Sequence, residues 1–119
     1  RRFLMRKTSL EETFKMLEIR PNCELCDCDL PPESTQAMIC SYECTYCSDC
    51  VNGPLSNVCP TCGGGFAQRP IRPKKNWRDG KRLGLEHHPA GDKRYHSPYR
   101  KDDLEAHVAR IKDVSPEER

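Results

Sequence analysis

Apolar residues recur at helical spacing in two places, one towards each end of the chain. Leu10, Phe14 and Leu17 share a face in residues 8–19, where Ser9 and Glu12 have capping-box spacing and Pro21 stops the turn. Leu104, His107, Val108 and Ile111 form a stripe that predicts a second helix from Asp103 to Val114, ended by Ser115-Pro116. Asp102 and Glu105 have capping-box spacing at its start. A helix of about twelve residues is marginal alone in water, so its stripe should dock on this chain or in a partner's groove; packing within the chain is the expectation. Between the two helices neither period holds. Residues 66–101 carry Pro, Gly and basic side chains without periodicity and read as a linker or extended arm.

Composition turns this weak patterning into a constraint. Only 35% of the 119 residues are hydrophobic and 32% are charged, too little apolar material to bury a core along the whole chain. Something besides apolar burial must order the middle. The nine cysteines, all between Cys23 and Cys62, supply the candidate. Their number is odd, no secretory signal or membrane-length apolar run precedes them, and they come in closely spaced pairs. A Cys-x-x-Cys pair aims two sulfurs at one point, which suits a tetrahedral zinc ion better than a disulfide framework. Four pairs in a row, Cys23/Cys26, Cys40/Cys44, Cys47/Cys50 and Cys59/Cys62, define two Zn2+ sites. Spacing alone leaves open whether adjacent or alternate pairs share a metal. Cys28 is left over; it reads as a free thiol, or else as an alternative ligand or redox-sensitive group.

Charge divides the chain sharply. Residues 23–65 hold six acids and no Lys or Arg, whereas residues 66–101 hold eleven basic and three acidic residues. The arm can therefore fold back on the acidic domain, or it can bind phosphates while aromatic side chains stack on unpaired bases. The candidate contacts for nucleic acid or another partner are Arg69, Arg72, Lys74, Lys75, Trp77, Arg78, Lys81, Arg82, Tyr95 and Tyr99.

The words Met16-Leu17-Glu18-Ile19-Arg20-Pro21-Asn22-Cys23-Glu24, Ile39-Cys40-Ser41-Tyr42-Glu43-Cys44-Thr45-Tyr46-Cys47-Ser48-Asp49-Cys50 and Val58-Cys59-Pro60-Thr61-Cys62-Gly63-Gly64, continuing to Arg69-Pro70, resemble a family of small bacterial cysteine-rich proteins, domain of unknown function 1272. That resemblance implies a zinc-binding fold, supplies no activity, and suggests Met16 as a natural start. The cysteine spacing with Cys59-Pro60-Thr61-Cys62 also resembles the RING-type cross-brace. The cross-brace implies alternate sharing, with Cys23, Cys26, Cys47 and Cys50 on the first zinc and Cys40, Cys44, Cys59 and Cys62 on the second.

The expected architecture is a small zinc-stabilised α+β domain, a RING-like cross-brace with two four-cysteine zinc sites at 23–65. It is flanked by an N-terminal extension with a short helix (1–22), the basic arm (66–101) and an amphipathic C-terminal helix (102–119). Closed four-thiolate sites leave no open metal position, so the zinc ions are expected to be structural. Leu25 and Pro60 stand where RING ligases contact a conjugating enzyme, but Gly63 replaces the basic residue often found after the last ligand, and Val51–Val58 contains no aromatic residue. No nucleophile elbow, phosphate loop or His-Glu-x-x-His motif is present, and His87, His88, His96 and His107 lie outside the paired pattern. The resulting expectation is a cytoplasmic, non-catalytic module that binds a protein partner, with nucleic acid as the alternative and ligase-like activity third. No membrane association and no small-molecule substrate are expected.

Overall fold

The computed structural model describes residues 16–119. Most of the predicted helix at 8–19 lies outside the described residues, and its last part, Met16–Ile19, is not helical. The reason is competition for its backbone groups. Glu18 N–H donates to Glu43 Oε1, and the carbonyls of Leu17 and Ile19 accept from Arg72 and from Gly91 N–H. Ile19 is buried.

Three short strands follow: β1 (Ala37–Ile39), β2 (Thr45–Cys47) and β3 (Ala67–Gln68), in the antiparallel order β2-β1-β3. Ala37 faces Cys47, Met38 faces Tyr46 and Ile39 faces Thr45, while Ile39 also pairs with Ala67 on the other side. The start of the predicted arm therefore supplies the third strand of the sheet. A five-residue helix, α1 (Ser48–Asn52), follows β2 directly and turns Cys50 and Val51 inward.

The core is correspondingly small. Leu30, Ala37, Tyr46, Val51, Leu55 and Val58 cluster with Cys23, Cys47 and Cys50, and Phe66 meets Tyr46 edge to face at 5.5 Å. The C-terminal helix, α2 (Lys101–Ile111), closes it with Leu104 and Val108. Burial of such side chains contributes about 1.5–3 kcal/mol each. The stripe thus packs within the chain. Its helix starts two residues before the predicted position, with Arg100 rather than Asp102 as N-cap and no side-chain cap bond. A 3-10 turn at Pro116–Glu118 carries the chain back over the cysteine segment, where Arg119 donates to the carbonyls of Asn57 and Gly63. Among the described residues no helix is long and apolar enough to cross a membrane.

Candidate metal centre

Three cysteine pairs sit in nearly the same backbone turn. In residues 23–28, Cys23 N–H donates to the Cys28 carbonyl, Asp27 N–H returns to the Cys23 carbonyl, and Asp27 adopts φ 67°. Residues 59–64 repeat this: Cys59 N–H reaches the Gly64 carbonyl, Gly63 N–H returns to Cys59, and Gly63 has φ 79°. In residues 40–44 the turn is one residue tighter, with Glu43 at φ 70°. A left-handed residue lets the chain double back on itself within one turn, and that brings the sulfurs of a pair to one side. It also aims N–H groups at sulfur: Leu25 N–H lies 3.4 Å from Cys23 Sγ, Tyr42 N–H 3.3 Å from Cys40 Sγ, and Gly64 N–H 3.4 Å from Cys62 Sγ. Such donors offset the charge of a thiolate. The fourth pair, Cys47 and Cys50, spans the junction of β2 and α1.

These elements converge on two groups of sulfurs. Cys23, Cys26, Cys47 and Cys50 bring all four Sγ atoms within 4.8 Å of one another, and Cys40, Cys44 and Cys59 form a second such group. The sulfurs of seven of the eight paired cysteines thus group by alternate rather than adjacent pairs. Cys62, three residues beyond Cys59, stands outside the 4.8 Å group, with its Sγ turned to Gly64 N–H. All nine cysteines are free thiols. Cys26 and Cys47 Sγ lie 3.8 Å apart. That is close to the edge of a tetrahedron with metal–sulfur bonds of about 2.3 Å, and nearly twice an S–S bond length of about 2.05 Å. The donor sets therefore fit a thiophilic metal such as zinc.

Four of the paired thiols, Cys23, Cys40, Cys50 and Cys59, resist ionising without a metal. Burial pushes Cys23 and Cys50 up and raises Cys40 to about 11. Cys59 is raised by its contact with the Cys44 thiol and by burial. Cys26 is the exception: the Cys28 backbone N–H pulls it down to about 7. Cys28 itself is displaced to about 12, by partial desolvation and by the adjoining Cys26 and Cys47 sulfurs, which makes it a poor nucleophile. It belongs to neither sulfur group.

A metal must displace protons from these raised thiols, so affinity falls as pH falls. Cys23 and Cys50 both remain protonated below neutrality, so metal affinity of the first group should drop roughly hundredfold or more per pH unit between 7 and 5. A metallochromic indicator titration across that range measures it; a flat profile would contradict the protonated starting state.

The basic arm straps the acidic segment rather than leaving it. Arg69 is 1% exposed and donates to the carbonyls of Arg20, Leu30 and Pro31 at 2.8, 3.2 and 3.0 Å. Arg72 spans the carbonyls of His88 and Leu17. Arg94 bridges Asp27 and Asp29, and Tyr95 donates its hydroxyl to Glu18 at 2.7 Å beneath the Arg20 guanidinium. Tyr99 reaches Thr61 Oγ1. Of the candidate nucleic-acid contacts, Arg69, Arg72 and Tyr95 are engaged within the chain, because their donors satisfy backbone and side-chain acceptors of neighbouring segments, while Tyr99 makes its bond to Thr61 and stays exposed. Lys74, Lys75, Trp77, Arg78, Lys81 and Arg82 remain exposed.

Residues that patterning overlooked complete the support. Asn22, fully buried, donates through Nδ2 to Cys23 O, Asp27 Oδ1 and Tyr95 O and accepts from Tyr95 N–H, tying the first turn to the strap. Buried Glu24 accepts from Thr45 N–H at 2.7 Å and from Arg20 at 2.8 Å. Burial disfavours the Arg20 charge, but Glu24 and Glu18 outweigh it and hold its pKa above the ordinary value. His107 Nε2 donates to the Cys59 carbonyl at 2.9 Å, pinning α2 to a cysteine turn. The one sequence signal for Asn22, Glu24 and Arg69 was their presence in the words shared with the resembled family.

The fold and its two sulfur groups define a small α+β protein built around metal-competent cysteine clusters. The family described as "Protein of unknown function (DUF1272)" matches residues 16–72. An uncharacterized protein from Rhizobium meliloti (strain 1021) is 57% identical over 58 residues, covering 49% of this chain and 69% of that protein. The chain belongs to this family. No solved structure matches it. The family match ends before the exposed basic loop and α2.

Proposed function

We propose that this protein is a zinc-ordered scaffold, a RING-like cross-brace with two tetrathiolate zinc centres, which acts by binding another macromolecule rather than by catalysis. Cys23, Cys26, Cys47 and Cys50 would hold one ion, and Cys40, Cys44, Cys59 and Cys62 the other. The observation that carries this reading is the alternate convergence of seven cysteines on two points, with backbone N–H groups aimed at their sulfurs. Cys62 occupies the position in its turn that Cys26, a member of the first set, occupies in the other, which supports it as the fourth ligand of the second set. Zinc bound there would supply cross-links between distant chain segments and neutralise thiolate charge. Four thiolates per ion leave no position for substrate or water, which supports a structural role. Thiolate-held zinc also suits a reducing compartment.

The ligase-like alternative has less support. α2 packs on the turn containing Pro60, through His107 at the Cys59 carbonyl and Ile111 beside Gly63, so part of the face such enzymes offer to a conjugating enzyme is covered by the chain itself. A protein partner docking on the α2 stripe meets the same objection, since Leu104 and Val108 are already buried.

Cobalt substitution tests the metal assignment. The expected result is a visible d–d band and intense thiolate-to-metal charge transfer that saturate at two equivalents per chain, with native mass spectrometry giving two zinc ions in the protein as purified. Saturation at one equivalent, or native disulfides in place of metal, would overturn the proposal.

A further inference from the structure

The strap leaves its domain once. Between Pro73 and Leu85 the chain loops outward, and its base is closed by Leu85 N–H donating to the Pro73 carbonyl at 2.8 Å. Gly84, at φ 87°, makes that closure feasible: a Cβ there would lie 2.6 Å from the Lys75 carbonyl oxygen. Inside the loop Asn76 accepts from Arg78 N–H and donates to the Lys81 carbonyl, and Lys81 N–H returns to Arg78. His88 Nε2 holds the Arg82 carbonyl at 2.8 Å. The loop is thus a shaped element with its backbone bonded internally.

Its side chains point elsewhere. Trp77, the chain's single tryptophan, is 78% exposed. Lys74, Lys75, Arg78, Lys81 and Arg82 flank it in the sequence, all exposed and none in an ion pair among the described residues; Asp79 is the one acid between 74 and 82, giving the stretch a net +4. By contrast Arg69, Arg72 and Arg94, in the same strap, are each bonded to the domain. An exposed indole flanked on both sides by unpaired cations offers a stacking face together with phosphate contacts.

We infer that this loop is a binding site for single-stranded nucleic acid, with Trp77 stacking on a base and the five cations contacting the neighbouring phosphates. The inference rests on the scaffold reading above for the body that carries the loop. Charge favours a strand over an anionic bilayer: residues 23–65 carry six acids and no Lys or Arg, and an anionic surface broad enough to reach that segment would be repelled by it. A single strand is thin enough to follow residues 74–82 alone.

Because Trp77 is unique, its fluorescence reports the contact directly. Zinc-loaded full chain is titrated with dT12 and U12, with a duplex of equal length, with vesicles of phosphatidylcholine containing 30% phosphatidylserine, and with polyglutamate. The expected result is quenching by the single strands, and affinity that falls roughly 50-fold between 50 and 200 mM salt if four phosphates are contacted. Trp77→Ala, followed by anisotropy of a labelled strand, should weaken binding about tenfold or more without moving the unfolding midpoint. Lys74→Glu with Lys75→Glu should weaken binding and reduce the slope of log affinity against log salt by about 1.4 or more. Binding to duplex, vesicles or polyglutamate as tight as to dT12, or no quenching by either single strand, would overturn the inference. Metal content of the same sample separates the two readings: two zinc ions without quenching removes the loop assignment alone, whereas undiminished quenching by folded, metal-free protein removes the scaffold reading alone.

Discussion

Chelation of zinc from the reduced protein at neutral pH is expected to unfold the chain outright. The near-ultraviolet circular dichroism and amide chemical-shift dispersion should both collapse, and both should return when zinc is restored. The physical basis is the scarcity of self-sufficient structure. The strands are two or three residues long, α1 has five residues, and the apolar cluster is small. Elements this short do not persist alone. A structural zinc contributes about 10–16 kcal/mol of apparent binding energy, more than the about 5–15 kcal/mol of net stability typical of a domain. Alternate pairing adds a second consequence. The ligands of each centre bracket a cysteine pair of the other, so loss of either ion should release the whole body cooperatively. Cys50→Ser should therefore resemble full chelation, while Cys28→Ser should leave metal content and fold intact. Native amide dispersion in the reduced, chelated protein would refute the account.

Arg69→Ala should be the most damaging substitution outside the cysteines. The guanidinium is buried, no carboxylate pairs with it among the described residues, and burial draws its pKa below the ordinary value. Arginine nonetheless stays charged, so its charge is met by carbonyl dipoles at Arg20, Leu30 and Pro31. Alanine would leave the Arg20 and Leu30 carbonyls without this donor, with Pro31 keeping Ser34 N–H, and would open a cavity where β3 meets Arg20 and the 30–31 loop. A cost of about 3–5 kcal/mol follows from the lost charge-assisted bonds and the stranded acceptors. In a domain of this size that lowers the midpoint by more than about 12 °C. Arg69→Lys should rescue little, because one ammonium cannot span three carbonyls as the planar fork does. Urea unfolding of zinc-loaded protein measures the effect. An unchanged midpoint would return Arg69 to the role its charge alone suggests, an anion contact on the surface.

Arg69 illustrates where reading the sequence fails. Its charge and its neighbours made it one more basic residue in an arm that looked unstructured. What identifies it as an internal tie is a set of carbonyls 38 to 49 residues away. Local composition carries no trace of such partners. Met16–Ile19 failed similarly: the segment had an acceptable helical face, but side chains and N–H groups from residues 43, 72 and 91 claimed its backbone. The C-terminal helix was legible because its stripe repeats at helical spacing, though its first residues were misplaced. Capping there rests on backbone geometry at Arg100 and not on a side chain that spacing could reveal.

Residue type and short spacing were enough to dictate that a hydrophilic chain would be organised by paired cysteines, with two sets of metal-competent sulfurs and an acidic domain next to a basic arm. Such properties are local, and a linear string of letters preserves them. Folding in three dimensions settled which pairs share a site, which cations are consumed in holding the strap down, and which remain outside around Trp77. These are matters of contact between segments far apart in the chain, and the same charges at the same spacing are compatible with either fate until packing assigns their partners.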